Sequence, residues 1–91
     1  MGKEFAILIA VHLATAEMNC PLRIEEGRLA RLLSHHGLTV RDAFTVPRSR
    51  ELQEEIEKVR AGFRDDWERA CDAAARSFGP GAPFEGYLQP R

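Results

Sequence analysis

Near the N-terminus, apolar residues run almost unbroken from Phe5 to Ala14, with His12 as the one polar interruption. One alternate set, Phe5, Ile7, Ile9, Val11 and Leu13, is large and apolar. The other, Ala6, Leu8, Ala10, His12 and Ala14, is mostly small. Segregation with a period of two predicts a strand covered on both faces. Alanine and leucine also favour helix, and a helix here would make the whole chain an all-α bundle.

The pattern then changes period. Leu22, Leu29, Leu32, Leu33 and His36 mark one face of a helix over residues 24–36, with a start as early as Leu22. Gly37 follows as a left-handed terminator, and Leu38 is placed to pack back on the last turn. Residues 38–46 alternate again. Leu38, Val40, Phe44 and Val46 share one face, and Thr39, Arg41, Ala43 and Thr45 the other, so a half-exposed strand is expected, stopped by Pro47. Thr39 could instead cap a short helix through Asp42, although such a helix lacks an apolar stripe.

From Arg48 to Phe78, apolar residues recur at steps of three and four: Leu52, Ile56, Val59, Phe63, Trp67, Ala70 or Cys71, Ala74 and Phe78. One long helix is expected, with Ser49 as its N-cap and Gly62 as a site of bending or breakage. Residues 79–91 are too rich in glycine and proline for helix and read as an irregular tail carrying Phe84, Tyr87 and Leu88.

Strand, helix, strand, helix predicts a small α/β domain over residues 1–78, of β-α-β-α order, with a parallel strand pair joined by a right-handed crossover. A two-stranded sheet is marginal alone. A helix over 48–78 would extend roughly 45 Å, against a radius of gyration near 12 Å expected for a chain of this length. An undersized sheet and an overlong helix both ask for a partner surface, and a homodimer is the simplest answer. Its expected interface is Phe63, Trp67 and Phe78 on the long helix, with Phe84, Tyr87 and Leu88 of the tail.

Charge removes some partners from this picture. Thirteen basic against 14 acidic residues give a net charge of -1, so no long-range field draws the chain to nucleic acid or anionic membrane. The N-terminal apolar run, about 11 residues, is shorter than the roughly 20 needed to span a bilayer. Cys20 and Cys71 form no close motif, and they read as reduced thiols of a cytoplasmic protein.

Candidate chemistry is sparse. Residues 25–47 have the rhythm of a β-α-β nucleotide-binding unit, but no glycine-rich turn follows residues 4–14, and Glu25 and Glu26 would repel a phosphate at that helix start. No cofactor is expected. A helix-turn-helix reading of residues 28–44 leaves a second helix of only about five residues, short for a recognition helix. His35 and His36 project about 100° apart on a helix and do not converge on one ion, so no metal site is expected. His12, near the C-terminal end of the first strand, and Cys20, in the loop beyond it, remain as weak catalytic candidates, where α/β proteins bind ligands. The expected function is a non-catalytic accessory or protein-interaction module that self-associates through its long helix. The alternative is a small enzyme or ligand-binding protein whose site is completed across a dimer interface.

Overall fold

The N-terminal apolar run is helix. In the computed structural model, which describes residues 2–82 and 84–91, α1 spans Gly2–Asn19. Its buried residues Ala6, Ile7, Ile9, Ala10, Val11, Leu13 and Ala16 are spread over more than half of the helix circumference at 100° per residue. A helix buried on most sides carries no polar stripe, so its sequence resembles that of an interior strand. α1 is the central element of the fold and packs against each of the other helices.

The chain leaves α1 through a short strand, β1 (Leu22–Ile24), and enters α2 (Glu26–His35). Leu29 and Leu33 are the buried face of α2. Gly37 terminates it with φ 71°. The Gly37 N–H donates to the Ser34 carbonyl (3.0 Å) and the Leu38 N–H to the Leu33 carbonyl (2.9 Å). This is a Schellman closure with buried Leu38 folded back onto the helix.

The expected strand over residues 38–46 is also helix: α3 (Val40–Thr45). Thr39 and Asp42 decide this. The Asp42 N–H donates to Thr39 Oγ1 (3.1 Å) and the Thr39 N–H to Asp42 Oδ2 (2.9 Å), a reciprocal capping box. The Thr39 N–H, followed by its hydroxyl, holds the Asp42 carboxyl below its usual range.

The expected long helix is two helices, α4 (Arg50–Asp65) and α5 (Trp67–Phe78). Ser49 caps α4 by accepting from the Leu52 N–H (3.1 Å). The break is at Asp66 (φ −151°, ψ 76°), four residues beyond Gly62. The Asp66 N–H donates to the Gly62 carbonyl (3.0 Å), and Asp66 Oδ1 accepts from the Arg69 N–H (3.3 Å). One aspartate thus closes α4 and opens α5. The break removes the overshoot that pointed to dimerisation along a single helix. The radius of gyration is 12.4 Å, with principal extents of 30 × 27 × 20 Å.

The C-terminal segment is part of the structure. β2 (Leu88–Pro90) pairs antiparallel with β1, with Leu22 opposite Pro90, Arg23 opposite Gln89 and Ile24 opposite Leu88. This antiparallel ribbon is the sheet found among the described residues, in place of the expected parallel pair. The domain is therefore predominantly helical, not a β-α-β-α fold. Both ribbon edges are occupied or blunted. On β1, the Ile24 N–H donates to Glu17 Oε2 (2.7 Å) and the Leu22 carbonyl accepts from Arg91 Nε (2.8 Å). On β2, Pro90 offers no N–H.

The cysteines are bonded to each other. Cys20 and Cys71, with Cα atoms 5.6 Å apart, join the end of α1 to the middle of α5 across 51 residues of sequence. The expectation of two free thiols is corrected on this point: the break at Asp66 turns α5 back so that it passes the end of α1. No helix among the described residues is long and apolar enough to cross a membrane.

Candidate functional site

The capping box that starts α3 also fixes which way its side chains face. Ala43 points inward and is fully buried. Val40 and Phe44, one turn apart, lie together on the flank beside it and are 41% and 43% exposed. α3 therefore presents its apolar residues to solvent. Met18, in the last turn of α1, is 85% exposed, more than any other large apolar side chain among the described residues.

These residues border two adjoining concavities. The first, of about 570 Å³, lies between α1, α3 and α4 and is lined by Val11, Ala14, Met18, Phe44, Arg60 and Arg64. The second, of about 510 Å³, lies on the other side of Phe44 and is lined by Ala14, Glu17, Ile24, Glu26, Val40 and Phe44. Ala14 and Phe44 belong to both, so the two form one groove with Phe44 rising at its centre.

The ends of the groove carry opposite charge. Arg64 Nη1 contacts Glu57 Oε1 (3.5 Å), and its Nε contacts Asp65 Oδ1 (3.4 Å). Glu17 is engaged by the Ile24 N–H. Arg60 and Glu26 are exposed and form no ion pair among the described residues. The apolar floor is thus flanked by one uncommitted cation and one uncommitted anion at opposite ends. Aromatic residues, methionine and arginine are the residue types enriched at protein–protein contacts.

The catalytic candidates are not brought together. Cys20 is in the disulfide and has no thiolate to offer. His12 lies two turns before it on α1, about 12 Å along the axis at 1.5 Å per residue. The strand whose end was to host a site does not exist. His12 is half-buried, and its ring meets the edges of Phe63 (centroids 5.8 Å) and Phe78 (5.2 Å). Burial pushes its pKa below the ordinary value.

That burial gives a pH dependence. In the unfolded chain the imidazole takes a proton near its ordinary pKa of about 6.5, while the folded site resists it to lower pH. Stability is complete where both states are neutral. It falls as pH drops through about 6.5 and levels off below the folded pKa. The expected result is a thermal midpoint for His12→Phe that tracks the wild type above neutrality and falls less below it. Identical acid slopes for the two proteins would contradict this role.

The six expected interface residues separate into three kinds. Phe63, Phe78 and Leu88 are core residues, exposed by 4%, 6% and 0%, and cannot meet a partner. Tyr87 is half-buried. Trp67 (53% exposed) and Phe84 (44%) do reach solvent. Phe84 already packs on Phe5 (6.5 Å) and Phe78 (5.8 Å). The sequence reading missed Met18, Phe44 and Arg60, which lie on three different helices and form no local motif.

No cluster of three or more metal-ligating side chains occurs among the described residues. The segment with a helix-turn-helix pattern holds α2, a turn and α3, but α3 has only six residues, and its exposed residues include Val40 and Phe44 beside Arg41 and Thr45. No family model, curated protein or solved structure matches this chain.

Proposed function

We propose that this chain is a small non-catalytic interaction domain whose binding face is the groove between α1, α3 and α4. The observation that carries this reading is the outward apolar side of α3, with Val40 and Phe44 exposed beside Met18. Covering large apolar side chains releases free energy roughly in proportion to the area removed from water. A contiguous exposed patch of this kind marks a contact surface, whereas scattered apolar residues do not. The face replaces the long helix as the surface through which the domain associates.

A protein partner fits the face better than nucleic acid. Its centre is apolar, its charged ends are of opposite sign, and the chain as a whole is nearly neutral. The Cys20–Cys71 bond supports an oxidising compartment in place of the cytoplasm, because such bonds persist where thiols are not kept reduced.

A photoreactive residue at position 18 tests this reading in extracts of the source cell. Position 18 is expected to give a discrete cross-linked product that Phe44→Glu abolishes, while the same probe at exposed Ala73 on α5 gives none. Absence of any product from position 18 would remove the interaction reading.

A further inference from the structure

We infer that the occupant of the α1–α3–α4 groove is a second copy of this chain, related by a two-fold axis passing near Phe44. This rests on the groove being a binding surface. Its added content is the identity of the partner and the pairing of Arg60 with Glu26 of the other copy.

The argument is one of self-complementarity. A two-fold interface brings the same patch of both copies together, so that residue i of one meets residue j of the other and the reverse. Such a patch works only if its two halves are complementary to each other. This one meets that condition. Its centre, Ala14 and Phe44 with Met18 and Val40 beside them, is apolar and stacks on itself. One end carries Arg60 and Arg64, the other Glu17 and Glu26.

Rotation by 180° about the centre lays each end on its opposite. Arg64 and Glu17 already have partners within their own chain. Arg60 and Glu26 do not, among the described residues, and they form two equivalent inter-chain pairs. A two-fold running along the groove, in place of one across it, would instead set like charges together, which costs affinity. Other ways of associating are hindered. The ribbon edges are closed by Glu17, Arg91 and Pro90, so pairing strand to strand offers few free backbone groups.

Charge reversal gives a test that a merely apolar contact would not pass. In sedimentation velocity, oxidised wild type is expected to be dimeric. Met18→Glu is expected to be monomeric with its fold intact, since Met18 is exposed in the single chain. Arg60→Glu and Glu26→Arg, each alone, place like charges together and weaken the dimer by at least about tenfold. An equimolar mixture of these two variants restores it, because each chain then meets its opposite at both pairs. The variant carrying both substitutions also restores it, with the pairs exchanged.

A wild type that stays monomeric up to about 1 mM, where even weak association shows, overturns the second-copy assignment. So does a dimer indifferent to both charge reversals, or a mixture that fails to re-form. A product of foreign mass at position 18 from a chain that remains monomeric would overturn this assignment and leave the interaction domain standing. No product at all would remove both.

Discussion

Cys20→Ala/Cys71→Ala is expected to lower the thermal midpoint by roughly 15–30 °C relative to the oxidised wild type, with a similar loss on reduction. The bond closes a loop with a sequence separation of 51 residues. Cross-linking a loop of that length removes unfolded-state entropy worth about 4 kcal/mol at room temperature. In a domain of this size each kcal/mol moves the midpoint by about 4–8 °C. The bond also ties the exit from α1 to α5. In its absence the α4–α5 break at Asp66 has fewer constraints on its angle. Differential scanning calorimetry of both proteins, with thiol titration to confirm the oxidised state, reads the effect. A midpoint changed by less than about 3 °C would show that α5 docks on α1 without the bond.

Leu88→Ala is the second large effect, at about 2–5 kcal/mol of lost stability. Leu88 lies within a glycine- and proline-rich stretch yet is fully buried. It sits opposite Ile24 in the ribbon, and β2 packs against α5. Truncating it opens a cavity at a point where the two strands hold each other by only three residue pairs. The next turn of chain is fastened too: Arg91 donates from Nη2 to the Glu17 carbonyl (2.8 Å) and from its own N–H to the Pro21 carbonyl (3.1 Å). Urea unfolding should show a lower midpoint concentration with an unchanged slope. If residues 79–91 were an unattached tail, the same substitution would leave the midpoint where it is.

The elements legible in the sequence were those whose signals are local. Leu29 and Leu33 at helical spacing, closed by Gly37, define α2. Ser49 begins α4. Elsewhere, local signals competed and tertiary context decided. α1 is apolar on most sides, so it has no helical stripe to read, and alternation from Phe5 to Leu13 mimics a strand. Its length was the better signal: apolar and small residues continue through Ala16, longer than an ordinary strand. In residues 38–46, β-forming residues suggested a strand, but the reciprocal Thr39–Asp42 bonds outweigh a propensity difference of about 1 kcal/mol at most. Between 48 and 78, Gly62 drew attention because glycine weakens helices, while Asp66, able to cap the second helix, made the break.

The site was less legible than the fold. Helical spacing says which residues share a face, not whether that face is covered. Phe63 on α4 and Phe78 on α5 are buried, while Trp67, one helical turn beyond Phe63 in the expected stripe, is exposed. Met18, Phe44 and Arg60 become neighbours only once α1, α3 and α4 are packed. The disulfide has the same character, since 51 residues separate its partners and only the turn at Asp66 brings them together.

The most direct test of the binding face is a nuclear magnetic resonance dilution series on the oxidised protein, following the Met18 methyl group and the Phe44, Trp67 and Phe84 ring signals. Concentration-dependent shifts confined to Met18 and Phe44, with Trp67 and Phe84 unmoved, are the predicted result. Shifts at Trp67 or Phe84 with Met18 unchanged would place the contact on a different face and contradict the account.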